Sequence, residues 1–357
     1  MRPVLRLLGA SRLARLALAL AVFAGVAVAL WLGPDWGTVG NAFQDVRWQW
    51  VVVAIGINLA SIVTRSIAWT LVIDQALQPP RPRYPLVFSA FCVGLLANAA
   101  LPGRIGELAR VAVLTRRMAR RRGVWATLVG TVVAHRMFDL VPIVLLILYV
   151  LVTAKIPAWA YSSLVAVVSV GATLFLLAVV SARRPGRVHL DGAGTVRRVV
   201  TMGRQGLAVM HRPTPAAGAI CFQLLGWLCQ LFAVYTAMRA FDIHEALPAA
   251  GLVLLVMNVA TIVPLWPGNV GAVQVAIAVP LVSYGVDYGN GIAFGFGLQA
   301  IEASVGVGIG LVFLAREGLS FATLRRMPSA VDAEIAVEER ALSPDRGAPR
   351  ARAGIPG

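Results

Sequence analysis

Apolar runs long enough to cross a lipid bilayer recur along this chain, and they constrain its fold more than any other feature. The hydrocarbon core of a bilayer is about 30 Å thick, which about 20 helical residues span. The sequence predicts an all-α, polytopic membrane helix bundle, because 59% of the 357 residues are hydrophobic and only 13% are charged. About six segments are predicted to be full crossings: residues 14–32, 49–73, 123–152, 158–182, 214–238 and 291–315.

Two further apolar regions, residues 84–117 and 246–286, are each interrupted by a Pro-Gly pair. Proline removes a backbone donor and stops a helix, and glycine permits a sharp reversal. Unpaired backbone inside a membrane is tolerated only where protein or water covers it. Both regions are therefore predicted to be broken or re-entrant hairpins, with thin pairs of crossings or ordinary helix–loop–helix turns as the alternatives. The hairpin-forming residues are Pro102, Gly103, Gly106, Pro267, Gly268 and Gly271.

The basic residues predict the orientation of the chain. With each hairpin entering and leaving on one side, the predicted cytoplasmic segments hold 26 of the 32 basic residues. Cytoplasmic loops of membrane proteins carry such an excess. We predict a multi-pass protein of the cytoplasmic membrane with both termini cytoplasmic. Its parts are a basic N-terminus (1–13), a transmembrane domain (14–316) and a disordered tail (317–357).

Three predicted crossings separate the two hairpins along the chain, so the hairpins are predicted to lie on opposite sides of the membrane. The first opens to the cytoplasm and the second to the outside, which predicts an inverted repeat of the kind that transporters use. The first span has one rival interpretation, since a basic start and the Ala-Val-Ala at residues 26–28 also resemble a signal peptide.

Several charged side chains lie inside the predicted spans. Arg136 and Asp139 are three residues apart near the middle of one span, so they share a helix face with His135. Glu302 lies near the middle of the last span and needs a cationic partner from another helix. Charge at this depth is costly and faces the interior of the bundle. These residues are either a structural ion pair or contacts for a headgroup or a proton.

Several classes of site are not expected. Lys155 is the only lysine, which excludes a Walker A loop, and the four histidines lack the spacing of metal ligands. The three cysteines fall in apolar runs, which is typical of packing rather than of disulfides. We therefore expect no cofactor and no metal. We also expect no nucleic acid, because the arginines lie between apolar segments.

Three motifs resemble those of a known family. Pro102, Gly103, Arg104, Gly106 and Glu107 match its Pro-Gly-Arg-x-Gly-Glu pattern. Arg136 and Asp139 match its Glu-Arg-x-x-Asp pattern, with His135 in place of the glutamate. Pro267, Gly268 and Gly271 match a Pro-Gly-Gly-x-Gly pattern, with Asn269 and Gln274 replacing a glycine and a glutamate. The chain thus resembles the lysylphosphatidylglycerol synthetase transmembrane region, or flippase-like domain family, over roughly residues 10–320.

This resemblance implies a protein that handles lipid headgroups, without the separate cytosolic synthase domain of the fused members. We predict a translocator, not an enzyme, that moves an anionic or zwitterionic lipid headgroup. The predicted substrate-binding residues are Arg104, Glu107, Arg110, Arg136, Asp139, Glu302 and Gln274. Two alternatives stay open: an integral-membrane enzyme or accessory factor in envelope lipid or glycan assembly, and a carrier of small solutes.

Overall fold

The computed structural model describes residues 34–100, 105–118, 124–156, 213–261 and 267–318, together with Ser169 and Thr173. Within these residues the fold is entirely helical, as predicted. It comprises α1 (Trp36–Gln44), α2 (Trp48–Ala76), α3 (Tyr84–Ala100), α4 (Gly106–Arg117), α5 (Val124–Thr153), α6 (Pro213–Ala240), α7 (Leu247–Ala260), a 3-10 turn (Pro267–Asn269), α8 (Ala272–Val282) and α9 (Tyr288–Arg316).

Four of these helices, α2, α5, α6 and α9, are long and apolar enough to cross a membrane. They match four of the predicted spans to within a few residues at each end, because long apolar runs between polar breaks are the least ambiguous signal in a sequence. The other two predicted spans, 14–32 and 158–182, lie outside the described residues apart from Ser169 and Thr173. So do residues 1–13 and nearly all of the predicted tail, 317–357.

Each Pro-Gly region contains two short helices separated by its Pro-Gly pair. We call α3 and α4 the first hairpin, and α7, the 3-10 turn and α8 the second hairpin. In the second, Gly268 and Gly271 have φ angles of +72° and +92°, a region that suits glycine because it has no Cβ. In the first, Pro102, Gly103 and Arg104 lie outside the described residues.

The first hairpin closes through two facing glycines. A Cβ on Gly94 would lie 2.8 Å from the carbonyl oxygen of Gly106, and a Cβ on Gly106 would overlap the Gly94 oxygen. The side chain of Asn98 accepts a hydrogen bond of 2.8 Å from the backbone N–H of Gly106, at the start of α4. The two helices therefore touch backbone to backbone, and the amide of Asn98 satisfies a donor that the helix start would leave unpaired.

Amide side chains hold the second hairpin in a different way. Asn269 donates to the carbonyl oxygen of Ala260 at 2.9 Å, which links the turn to the end of α7. Gln274 accepts from the backbone N–H of Gly271 at 2.5 Å and donates to Gln299 of α9 at 2.6 Å. Gln299 in turn donates to the carbonyl oxygen of Gly268. The second hairpin is thus anchored to the middle of α9.

The apolar core consists of two large clusters, one around each hairpin. The first cluster joins α3 and α4 to the start of α5 and the end of α9. The second joins α7 and α8 to the end of α5 and the start of α9. The two hairpins therefore pack against opposite halves of the same two long helices, and the 3-10 turn of the second also contacts α3.

Ion pairs and hydrogen bonds join the loops at each end of the bundle. At the end that holds the second hairpin, Arg47 pairs with Asp242 at 2.6 Å, and the backbone N–H of Lys155 donates to the Tyr284 hydroxyl. At the opposite end, Glu317 accepts from Ser89 at 2.8 Å and from Arg117 at 2.9 Å. The bundle thus has two distinct ends, and their assignment to the cytoplasm or the outside stays a prediction.

Candidate functional site

A set of charged and polar side chains lies between the two apolar clusters, and we call it the polar layer. In α5 and α9 it falls between the segment that packs with the first hairpin and the segment that packs with the second. It therefore occupies the middle of the bundle. Its members are Arg65, Glu107, Arg110, Arg136, Asp139, Gln223, Trp227, Gln230 and Glu302.

Asp139 is the central acceptor of the polar layer. One carboxylate oxygen accepts from the indole nitrogen of Trp227 at 2.9 Å, from Arg65 at 3.3 Å and from the amide of Gln223. The other accepts from Arg136 at 3.1 Å. A buried carboxylate is tolerated when several donors and cations surround it. Asp139 therefore joins α2, α5 and α6.

Glu107 connects the first hairpin to α5. It stands in the first turn of α4, where a carboxylate also faces the positive end of the helix dipole. One oxygen pairs with Arg136 of α5 and the other with Arg110, one turn further along α4. Glu107 therefore has two arginine partners, one on its own helix and one on α5.

Arg110 is enclosed rather than open. Its side chain is 4% exposed, and its guanidinium carbon lies 4.4 Å from the ring centre of Trp69 and 5.5 Å from that of Phe91. Arginine stacks well on aromatic rings because its guanidinium is flat and weakly hydrated. In this conformation Arg110 is a fixed positive charge behind Glu107.

Arg65 continues the polar layer toward the last span. Besides Asp139 it contacts Gln230 of α6 at 3.5 Å, and Gln230 donates to Glu302 at the same distance. Gly226 makes room for this arginine, since a Cβ there would lie 2.5 Å from its Cγ. Glu302 thus reaches its cationic partner on another helix, as expected, through an intervening amide rather than directly.

Three arginines and three carboxylates occupy the polar layer, and they differ in exposure. The side chain of Arg136 is 48% exposed, that of Arg65 is 19% exposed and that of Asp139 is 5% exposed. Arg136 is therefore the most exposed of the described cations in the polar layer. Arg65 and Arg110 are held by their neighbours.

His135 is not among the described donors to Asp139. Its imidazole is 1% exposed and meets the ring of Phe91 edge to face, with 6.2 Å between the ring centres. Its Nδ1 is buried and has no hydrogen-bond partner among the described residues. The shared helix face that the spacing predicted brings His135 beside the layer, where it packs against an aromatic ring.

The polar layer brings together Glu107, Arg110, Arg136, Asp139 and Glu302 of the predicted binding residues. Gln274 lies apart from them, in the second hairpin, and Arg104 lies outside the described residues. Whether any of them binds substrate stays a prediction.

The sequence reasoning missed three residues of α6. Gln223, Trp227 and Gln230 are spaced four and three residues apart, so they share one face of an otherwise apolar helix. Polar side chains at helical spacing within a span were the signal that could have identified them.

Other kinds of site find no support in the described part of the chain. The described residues contain no group of three or more His, Cys, Asp and Glu placed to hold a metal ion. The cysteines Cys92, Cys221 and Cys229 are free thiols.

The fold and the polar layer together define a polytopic, all-helical membrane protein with two interrupted helical hairpins around a charged centre. Residues 14–326 match the family described as the lysylphosphatidylglycerol synthase TM region. The chain belongs to this family, which confirms the resemblance seen in its motifs. No curated protein and no solved structure matches the chain.

Proposed function

We propose that this protein translocates a lipid, moving an anionic or zwitterionic headgroup across the cytoplasmic membrane. The observation that carries the proposal is the polar layer, a connected chain of side chains from Glu302 through Gln230, Arg65, Asp139, Arg136 and Glu107 to Arg110. This chain of contacts links the last span to the first hairpin at the middle of the bundle.

Charge is costly at this depth, which favours a functional origin. A single charged side chain at the centre of a span costs about 2.5–3.5 kcal/mol on insertion scales, and such residues commonly mark the pathways of substrates. Six ionisable groups meet in the polar layer. Apolar packing alone would hold the helices together without them, since replacing buried ion pairs by apolar groups is often neutral or stabilising.

The hairpins support an alternating mechanism. Helix α4 has 12 residues and spans roughly 18 Å, less than the hydrocarbon core. Its first turn contacts Arg136 near the middle of α5. This length and this contact favour a re-entrant first hairpin in which α4 begins near the centre of the bundle. The packing of the two hairpins on opposite halves of α5 and α9 favours the inverted repeat, in which the site opens to one side at a time.

The roles of the residues follow from their positions. Arg136 receives the phosphate of the headgroup, and Arg104 is the second cation that the sequence motif predicts. Glu302 and Asp139 set the charge of the site. Among the described residues Glu302 accepts from Gln230, whereas Asp139 accepts from four side chains. Gln274, whose amide is engaged by Gly271 and Gln299, holds the second hairpin. The protein is not an enzyme in this proposal.

A flipping assay in proteoliposomes tests the proposal. We expect the full chain to move fluorescent phosphatidylglycerol between leaflets, and Arg136→Gln and Glu302→Gln to slow the movement at least tenfold. Arg47→Gln is the matched control, because Arg47 pairs with Asp242 at one end of the bundle. Unchanged movement in both layer variants would contradict the site. A change in lipid mass would instead indicate an enzyme, and counterflow of a water-soluble solute alone would indicate a carrier.

A further inference from the structure

The contact between Glu107 and Arg136 has the properties of an exchangeable ion pair. The side chain of Glu107 is 23% exposed and that of Arg136 is 48% exposed, whereas the other charged partners of this pair, Arg110 and Asp139, are 4% and 5% exposed. The open part of the polar layer is thus a carboxylate bound to Arg136, the most exposed of the three arginines that the structure describes there.

Each member of the pair keeps another partner when the contact breaks. Glu107 retains Arg110, and Arg136 retains Asp139. Separation therefore leaves no isolated buried charge. An isolated charge of that kind is what makes the rupture of a buried ion pair costly. An anion that replaces Glu107 at Arg136 also restores the charge balance around the guanidinium.

We infer that the phosphodiester of the headgroup displaces Glu107 from Arg136, so that Glu107 acts as an internal competitor for the phosphate site. This inference rests on the proposed function and specifies the substrate group as a phosphate oxygen anion. A guanidinium offers paired N–H donors that suit phosphate as well as carboxylate.

The displacement also has a mechanical consequence. Glu107 stands in the first turn of α4 and Arg136 stands on α5, so their contact ties the first hairpin to a long span. A bound phosphate would break this ion pair and leave the glycine contact between α3 and α4 in place. Binding of the headgroup therefore removes one polar tie between the first hairpin and α5, while the apolar packing and the contacts of Glu317 with Ser89 and Arg117 remain.

Binding of a soluble lipid to the purified full chain tests the competition. The probe is dihexanoyl phosphatidylglycerol, measured by calorimetric titration in detergent, with a short-chain galactosyl diacylglycerol as the phosphate-free control. We expect Glu107→Gln to bind phosphatidylglycerol roughly fivefold more tightly than the unaltered chain, the factor that about 1 kcal/mol represents. Arg136→Gln should lose the preference for phosphatidylglycerol over the galactolipid.

Two further variants separate competition from simpler effects. Glu302→Gln removes the same charge from the layer without touching Arg136, so an equal gain in affinity would show a general electrostatic effect and overturn the inference. Glu107→Asp keeps the charge and weakens the contact, which gives a smaller gain and covers the case in which the amide variant fails to fold. Unchanged or weaker phosphatidylglycerol binding in Glu107→Asp would also overturn it.

The titration also distinguishes this inference from the proposed function. If the unaltered chain moves lipid but neither Glu107 variant binds it more tightly, the competition is wrong and translocation stands. If the Glu107 variants bind phosphatidylglycerol more tightly but no chain moves lipid, the exchange stands and the proposed function is wrong.

Discussion

The indole nitrogen of Trp227 donates to the carboxylate of Asp139 at 2.9 Å, although the two residues are 88 positions apart in the sequence. This bond brings the middle of α6 against the middle of α5. It orients a carboxylate that also receives two arginines and a glutamine. Asp139 is therefore the residue on which the geometry of the polar layer most depends.

We predict that Asp139→Asn strongly destabilises the protein. The amide removes the charge that Arg65 and Arg136 share, and its NH₂ group faces donors instead of accepting from them. Loss of one partner from a buried ion pair costs about 3–5 kcal/mol. The unfolding temperature in detergent measures the effect.

Asp242→Asn is the control for this variant. Asp242 pairs with Arg47, and both side chains are about half exposed, so the expected change is within about 1 kcal/mol. Equal losses in the two variants would contradict the central place of Asp139.

We predict that Gly106→Ala prevents the first hairpin from closing. The added Cβ would overlap the backbone of Gly94 and the side chain of Asn98, and backbone cannot move aside as a flexible side chain can. Overpacking of this kind costs about 1–3 kcal/mol or more. Gly308→Ala in α9 is the control, because no atom lies within 4 Å of its Cβ position. The unfolding temperature in detergent measures this cost, and equal values for the two variants would refute the packing.

We predict that Gly226→Ala impairs lipid movement more than it impairs folding. Its Cβ would press on the Arg65 side chain, and an arginine can shift by rotating its own bonds. The shift would lengthen the contacts of Arg65 with Asp139 and Gln230, and flipping should fall at least threefold. Gly56→Ala on α2 has open space around its Cβ and should behave as the unaltered chain does.

We predict that Gln274→Glu weakens the second hairpin even though a glutamate is the residue usual in the resembled motif. A carboxylate still accepts from Gly271, but it cannot donate to Gln299. The expected cost is about 1–3 kcal/mol, as for a buried polar group that loses its partner. Gln44→Glu on the exposed face of α1 is the control. A gain in stability for Gln274→Glu would show that Gln299 reverses its amide.

The sequence predicted the long elements well and the contacts between them poorly. Spans such as 49–73 and 291–315 were recognisable because apolar length is a local property, and the pairing of Arg136 with Asp139 follows from helical spacing alone. The partners on other helices required knowledge of which faces meet. Gln230 illustrates this, because nothing within α6 indicates that it bridges Arg65 and Glu302.

The asparagines near the two Pro-Gly breaks make different contacts. Asn98 lies four residues before Pro102, and Asn258 lies nine residues before Pro267. The side chain of Asn98 bonds across its hairpin to Gly106. Asn258 donates to Leu254 one turn earlier in its own helix, and Asn269 makes the link across the second break. The order of the residues was visible, but the direction in which each amide points depends on the path of the intervening backbone.

The division of the apolar packing into two clusters has a consequence for how the molecule deforms. Hydrocarbon side chains that interlock resist sliding, whereas a seam of ion pairs can exchange partners at little cost in contact area. Because the polar layer lies between the two apolar clusters, one half of the bundle can loosen while the other half keeps its packing. Relative movement of the two halves would then take place at the polar layer and would need no separate hinge.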